Sequence, residues 1–251
     1  MKILKSLCIV IFFFYAVSSC IKKEKTETAN SDSMSSATSR TNTDRDDSAA
    51  AFIELIPAVI ERQYIRKFGE VASKHPNLVE KFILDSPSFK NLVENHKNFT
   101  FTKFYFIQDS GNSKMNLGMA FSNTNDYENI SSDKKFILRN GKFQEDEKLK
   151  NKIDFYKSSL ATQTGFNGKE ATECVIYDTS DIIEYYQKRE TAGKVISRLN
   201  LAMIYFFMAK DENNNDYNYD KSKHDRISFA VHAVYTNGSM DQGYDAGDLK
   251  P

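Results

Sequence analysis

The chain of 251 residues carries 34 basic and 34 acidic residues, so its formal net charge is zero. A protein that neutralises many phosphates needs a basic excess or a basic face, and this balance argues against nucleic acid as a partner. The hydrophobic residues include 19 Phe and 13 Tyr but no Trp. One domain of about 200 residues can bury enough of its surface to be stable by itself.

The first 19 residues have the pattern of a secretory signal peptide. Lys2 and Lys5 precede an almost wholly apolar run, residues 7–17, and small residues follow it. The run is shorter than the roughly 20 apolar residues that cross a hydrocarbon core. A buried N-terminal helix or a permanent membrane span is the alternative, and the polar sequence that follows at once argues against both.

This segment ends in Val17-Ser18-Ser19-Cys20, which resembles the lipobox of bacterial lipoproteins. The resemblance implies cleavage before Cys20, a diacylglyceryl thioether on its sulfur, and an acyl chain such as palmitate on the new amino group. Several acyl chains anchor a protein stably in a membrane, whereas a single chain binds only marginally. Ile21 rather than Asp follows the cysteine, which implies sorting to the outer membrane in Gram-negative cells. The mixed charges of residues 21–24 leave the periplasmic or surface face open.

Residues 20–48 are predicted to be the lipidated cysteine and a flexible tether. Met34 is the one large apolar side chain between residues 22 and 48, so the segment cannot offset its ordering entropy by burial. A coil of this length has a root-mean-square reach of roughly 30 Å. Because Cys8 would leave with the signal and Cys20 would carry lipid, Cys174 would be the one remaining thiol, without an intramolecular disulfide partner.

Residues 49–251 are predicted to form a single α+β domain. We expect an N-terminal helical layer, then a mainly antiparallel sheet with one or two further helices. Apolar residues at helical spacing predict a first helix up to Phe68, which Pro57 either kinks or begins. The same spacing extends this layer through residues 77–84.

Beyond residue 84 the chain first restarts a helix and then changes to strand chemistry. Ser86 is expected to cap the helix, with Pro87 as its first residue. Residues 99–107 and 115–121 then predict a β-hairpin, the second strand having one apolar face. Residues 136–139 predict a third strand that ends at Asn140-Gly141.

The second half repeats both kinds of pattern. Acidic residues 145–147 predict the start of a helix, since negative charge favours a helix N-terminus. Residues 174–177 predict a strand, after which Thr179 or Ser180 caps a short helix. Residues 199–209 and 227–235 predict the last hairpin, with a helix over residues 195–208 as the alternative for its first strand. The tail, residues 237–251, is predicted to be irregular.

From residue 172 onward, the order of short strand, helix, strand pair and Asp/Gly tail resembles small uncharacterised bacterial proteins. This resemblance implies no activity. Ile176-Tyr177-Asp178 and Ala233-Val234-Tyr235 are among the residues that carry it.

One oxygen-rich run suggests a metal site. Asp211, Asn213 and Asn215 match the first three ligand positions of a calcium loop, but Asp216 and Ser222 stand where that loop needs Gly and Glu. We therefore interpret residues 211–220 as a solvated hairpin loop and expect no metal and no cofactor.

The remaining candidate residues favour structural roles. The four histidines are in no zinc-binding pattern, and His232, in the middle of a predicted strand, is expected to have a local partner. Cys174 is expected to be a small buried hydrophobe. Ser131 and Lys134 have the Ser-x-x-Lys spacing of some acyl-enzymes, but their neighbours Asp133 and Lys135 indicate a surface turn.

Taken together, these patterns predict an anchored protein without a catalytic signature. The function we expect is a lipid-anchored, non-enzymatic protein of the cell envelope that binds another protein or a small ligand. An envelope hydrolase whose site is assembled from distant residues is the alternative.

Overall fold

Helices and mainly antiparallel strands make up the folded chain, which confirms the α+β class predicted from the sequence. The computed structural model describes residues 55–164, 171–217, 221–245 and 247–251. The predicted signal, Cys20 and the predicted tether lie outside the described residues. No helix in the described ranges is long and apolar enough to cross a membrane.

The elements are numbered in chain order. The helices are α1 (Ala58–Ala72), α2 (Ser86–Asn95), α3 (Leu149–Ser158), α4 (Leu160–Thr164) and α5 (Thr179–Thr191). The strands are β1 (Lys81–Asp85), β2 (Phe101–Ile107), β3 (Asn116–Ser122), β4 (Lys134–Arg139), β5 (Lys142–Glu145), β6 (Cys174–Asp178), β7 (Ile196–Tyr205), β8 (Ala209–Lys210), β9 (Asp216–Tyr217), β10 (Ile227–Tyr235) and β11 (Asp248–Lys250).

The strands form two large antiparallel sheets. One has six strands in the order β11-β6-β2-β3-β4-β5, and the other has three in the order β1-β7-β10. β7 is central in its sheet and pairs with β10, so the predicted last hairpin is confirmed and the helix alternative over residues 195–208 is wrong. The small β8-β9 hairpin lies in the loop between β7 and β10.

The main core lies between the two sheets. The rings of Phe104 on β2 and Tyr177 on β6 pack against Phe229 on β10, with centroids 5.5 and 6.2 Å from that of Phe229. Such aromatic pairs add to the free energy gained by burial alone. α2 and α5 contribute to the same core, where the rings of Phe89 and Tyr186 lie 6.4 Å apart.

A second core covers the other face of the six-stranded sheet. Leu149 and Ile153 of α3 pack there with Tyr105 and Cys174. Gly118 on β3 allows this close approach, because the Leu149 side chain occupies the space that a Cβ on Gly118 would need. β3 is therefore buried on both faces, although its alternating pattern predicts one buried face.

Residues 81–85 form a strand, so the prediction that the helical layer extends through residues 77–84 is wrong. Phe82 and Leu84 are buried and alternate with exposed Lys81 and Ile83, which is a period of two. β1 pairs with β7 along its whole length. This pairing, which the local sequence does not reveal, overrides the helical spacing.

The N-caps of two helices lie before the predicted cap residues, so each helix begins at a residue predicted to be its cap. Asp85 is the N-cap of α2, and its carboxylate accepts a hydrogen bond of 3.0 Å from the N–H of Ser88. The hydrogen bond from Ser88 lowers the pKa of Asp85. In α5 the N-cap is Asp178, because Thr179 is buried and its hydroxyl bonds to that of Thr102 at 3.0 Å.

Two edge strands have no counterpart among the predicted elements. After β4, Asn140 and Gly141 have φ angles of +49° and +79°, as a type I′ turn requires, and β5 returns along β4. β5 ends at Glu145 and α3 begins at Leu149, so the prediction that acidic residues 145–147 start the helix is wrong. At the C-terminus, β11 pairs with β6, so the prediction of an irregular tail is wrong for residues 248–250.

The turn at Gly141 gives a stability test. Gly141→Ala forces a residue with a Cβ into left-handed backbone, so we expect the free energy of unfolding to fall by about 1 kcal/mol. Gly69→Ala is the matched control, because Gly69 lies in α1 with open space where the added methyl group would point, and it should gain about 0.5 kcal/mol. Urea unfolding measures both, and a Gly141→Ala protein as stable as Gly69→Ala would contradict the turn.

Candidate functional site

α5 ends in a Schellman motif that places two basic residues close together. Gly193 has a φ of +69°, which glycine adopts without strain. The N–H of Gly193 donates to the carbonyl of Glu190 at 2.8 Å, and the N–H of Lys194 donates to the carbonyl of Arg189 at 2.9 Å. Arg189, in the last turn, is buried, whereas Lys194, just beyond the helix, is exposed.

A return segment, residues 237–245, runs back along β10 and faces this helix end. The N–H of Asp241 donates to the carbonyl of Ala233 at 3.0 Å. Tyr244 and Val231 exchange two backbone hydrogen bonds of 3.0 and 2.8 Å. The return segment thus extends the edge of the three-stranded sheet and brings Asp241 and Tyr244 towards α5.

Asp241 joins the two elements. One carboxylate oxygen accepts hydrogen bonds from Arg189 Nε at 3.0 Å and Nη2 at 2.5 Å, and from the hydroxyls of Tyr185 and Tyr235 at 3.4 and 3.3 Å. The other oxygen accepts from the N–H of Ala233 at 2.5 Å. The side chains of Arg189 and Asp241 are only 10% and 12% exposed. Removing one partner of such a pair leaves a buried charge without compensation.

Aromatic rings enclose the Arg189 guanidinium. Its central carbon lies 3.4 Å from the ring centroid of Tyr185 and 4.8 Å from that of Tyr244, and the two rings are 5.7 Å apart. The faces of tyrosine rings attract a cation. Burial, together with the charge of Asp241, raises the pKa of both Tyr185 and Tyr235, so both hydroxyls stay protonated as donors.

Arg189, Asp241 and the rings of Tyr235 and Tyr244 form one wall of a surface cleft of about 260 Å³, called the Arg189 cleft below. Its lining consists of Lys188, Arg189, Ala192, Lys194, Tyr235, Asp241 and Tyr244. Lys194 Nζ lies 5.3 Å from the ring centroid of Tyr235. Three basic residues and one acidic residue thus line the cleft. The acidic residue is Asp241, whose carboxylate already accepts hydrogen bonds from Arg189 and from the N–H of Ala233.

A second buried ion pair lies behind the return segment. His232 Nε2 on β10 is 2.5 Å from Glu61 Oε1 on α1, and both side chains are less than a tenth exposed. His232 Nδ1 lies 3.2 Å from the carbonyl oxygen of Asp241. Burial by itself lowers the pKa of His232, but the hydrogen bond and charge of Glu61 outweigh it, so the pKa is raised. Gly243 leaves room for the Glu61 carboxylate, which fills the space of a Cβ.

The prediction that His232 has a local partner is therefore wrong for its charged partner, because Glu61 belongs to α1 and is far away in the sequence.

His96 also has a structural environment, since its ring stacks on Phe121 with centroids 4.5 Å apart. Its Nδ1 lies 2.8 Å from the carbonyl oxygen of Leu92.

Cys174 is fully buried, as predicted. Burial raises the pKa of its thiol well above the ordinary range, although the charge of Lys103 acts in the opposite direction. Because the thiolate is the reactive form, this cysteine is unsuited to act as a nucleophile.

Lys103 itself is fully buried and donates to Asp133 Oδ2 at 3.1 Å and to the carbonyl of Asp126 at 2.6 Å. These bonds hold the loop between β3 and β4 on the sheet. The predicted surface turn around Ser131 is thus wrong for Asp133, which is buried. The hydroxyl of Ser131 donates to Asn129 at 2.8 Å, while Lys134 is exposed at the start of β4.

The Asp211 loop is a hairpin turn. The Asp211 carboxylate accepts from the backbone N–H groups of Asn213 and Asn215 at 2.9 and 2.8 Å, and the hydrogen bonds from Asn215 above all lower its pKa. Asp216 pairs with Lys210 at 2.6 Å. Asp220 lies outside the described residues. Within the described ranges, no group of three or more His, Cys, Asp or Glu residues could hold a metal ion.

Sequence reasoning missed Arg189 and Asp241, which are 52 positions apart. A signal for Arg189 exists, because Ile182, Tyr185, Tyr186 and Arg189 follow the i, i+3, i+4, i+7 spacing of one helix face. A basic residue on an apolar face indicates a buried partner. No comparable local pattern indicates Asp241.

Comparison of the chain with protein-family models, with curated proteins and with solved structures found no match.

The buried pair predicts a large stability effect. Asp241→Asn leaves the Arg189 guanidinium without its counter-charge, so we expect a loss of about 3 kcal/mol in the free energy of unfolding. Asp154→Asn is the control, since Asp154 pairs with Lys150 at the surface, with both side chains about half exposed. Its loss should be below about 0.5 kcal/mol. Equal losses in urea unfolding would contradict the role given to Asp241.

The raised pKa of His232 predicts a pH dependence. In the unfolded chain this histidine titrates near 6.5, and in the folded protein its pKa is higher. The stability that the His232–Glu61 pair contributes is therefore complete below about pH 6.5 and is lost as the pH rises through the folded pKa. We expect the difference in unfolding free energy between the wild type and His232→Gln to shrink over that interval. A difference independent of pH would contradict this.

Proposed function

We propose that the protein is a lipid-anchored, non-enzymatic binding module of the cell envelope, and that its ligand occupies the Arg189 cleft. The lipobox-like Val17-Ser18-Ser19-Cys20 supports the anchor. The resemblance implies acyl chains on Cys20, which hold the protein at the outer membrane. Residues 20–48 then act as a tether with a reach of roughly 30 Å, which lets the cleft meet its ligand near the membrane.

The observation that supports the binding function is that an exposed lysine lies at the cleft, whereas the buried ion pairs elsewhere are enclosed. Two other buried ion pairs, Lys103 with Asp133 and His232 with Glu61, have both charges paired inside the protein. At the Arg189 cleft, by contrast, exposed Lys194 lies at the rim of a concave surface walled by tyrosine rings. A concave site with aromatic walls and a few polar groups is typical of ligand binding.

The hydrolase alternative depends on a histidine or acid placed beside a nucleophile. Of the ionisable groups in the described part of the chain, His232 has the raised pKa and buried acid expected of such a site. Its polar contacts are the Glu61 carboxylate and the Asp241 carbonyl, which make a structural ion pair. This arrangement gives the hydrolase alternative no support.

Site-specific photo-crosslinking in living cells tests the proposal. A photoreactive residue replaces Ala192, which lines the cleft at the C-cap of α5. We expect mass spectrometry to recover a reproducible adduct from this position. Ser73, the exposed C-cap of α1, is the matched control and should give no such adduct. Failure to recover any adduct specific to position 192 would contradict binding in the cleft.

The anchor has its own test. Cys20→Ser removes the sulfur that the lipobox resemblance implies is acylated, so we expect the protein to leave the membrane fraction. Metabolic labelling with palmitate should mark the wild type and not the variant. A wild-type protein that retains residues 1–19 and carries no label would contradict the anchor.

A further inference from the structure

The positive charge at the rim of the Arg189 cleft indicates what kind of ligand fits it. We propose that the cleft recognises an oxyanion, a carboxylate or a phosphate, on a ligand the size of one sugar ring. This inference rests on the proposed function, because it takes the cleft to be the ligand site. It names the chemical class of ligand and the residues that select it.

The charges in the cleft do not cancel. Asp241 is occupied by Arg189, by two tyrosine hydroxyls and by a backbone N–H, so it is not available to attract a cation. Lys188 pairs with Glu184 at 2.6 Å, where both side chains are about half exposed. Lys194 forms no ion pair with any residue in the described ranges, and its Nζ lies over the ring of Tyr235. The uncompensated charge is therefore positive, and Lys194 carries it.

The C-terminal end of α5 repels an anion, and the local structure weakens that repulsion. A helix C-terminus carries a partial negative charge on its last carbonyls. Here the N–H groups of Ala192, Gly193 and Lys194 donate to three of those carbonyls, at 3.3, 2.8 and 2.9 Å. Lys188 and Arg189, both in the last turn, add positive charge at the same place. The field at the cleft thus favours an anion.

The volume of the cleft and the side chains that line it limit the size and shape of the ligand. A volume of about 260 Å³ is just below the range of roughly 300 Å³ upward that drug-sized ligands occupy. Tyr235 donates its hydroxyl to Asp241 at 3.3 Å, and the part of this largely buried residue that lines the cleft lies beside Lys194. Tyr244 provides a second ring. Two ring surfaces beside a lysine suit a compact ring that bears an oxyanion.

Isothermal titration of the anchored, full-length protein with four matched sugars tests this inference. Glucuronate carries a carboxylate, glucose 6-phosphate carries a phosphate, glucose is neutral and glucosamine is a cation. We expect glucuronate, glucose 6-phosphate or both to bind at millimolar concentration, and glucose at least about fivefold more weakly. Added salt should weaken the binding of the anions, since screening acts on exposed charges. The two anions decide between carboxylate and phosphate.

Variants of the rim identify the residue responsible. Lys194→Gln should weaken binding of the anion about fivefold, whereas Lys74→Gln, at an exposed lysine after α1, should leave the affinity unchanged. Glu184→Gln frees Lys188 from its partner and should strengthen binding of the anion about twofold. This gain separates direct recognition from a loss of folding, because damage to the fold weakens binding in every variant.

The outcomes distinguish this inference from the proposed function. Equal affinity for glucose and glucuronate, or equal effects of Lys194→Gln and Lys74→Gln, would overturn anion recognition. Absence of binding by both anions would overturn it too. In each of these cases an adduct specific to position 192 would leave the binding module standing, and only its absence would count against the cleft as a ligand site.

Discussion

The buried ion pair between Arg189 and Asp241 fixes how the two sheets meet at one end of the molecule. Arg189 belongs to α5, which follows directly from β6 of the six-stranded sheet, and Asp241 belongs to the return segment beside β10 of the three-stranded sheet. An apolar contact tolerates small shifts between packed elements. A charged pair with both partners about a tenth exposed does not, because any separation leaves two poorly solvated charges. The positions of Tyr235 and Tyr244, and with them the wall of the cleft, follow from this constraint.

The protein uses its charges in two different ways. Lys103 with Asp133, and His232 with Glu61, are enclosed pairs that tie a loop or a helix onto a sheet. Their hydrogen bonds lie inside the protein, so these charges are not available to a ligand. Lys194 differs, because the backbone holds it in place while its ammonium group stays at the surface. The distinction between enclosed and available charge is the physical basis for proposing the Arg189 cleft as the ligand site.

Strong local patterns make much of the fold predictable. β2, β3, β7 and β10 coincide with predicted strands because long apolar or alternating runs determine them locally. β1, β5 and β11 escape prediction, since strands of three to five residues at sheet edges depend on their partners more than on their own sequence. The same reason applies to the cleft. The helical spacing of α5 indicates Arg189 as a residue of the buried face. Asp241 lies in a Gly-rich tail, and no local sequence pattern indicates that this tail pairs with β10.

The Schellman motif at Gly193 has an evolutionary consequence. The N–H of residue 194 and the glycine before it fix the main chain at this position, so the fold depends little on which side chain residue 194 carries. Recognition and folding are therefore separable here. Under the binding role proposed above, descendants of this chain can exchange Lys194 for an acid, an amide or an aromatic ring and acquire a new ligand preference, while the architecture that presents residue 194 is inherited unchanged.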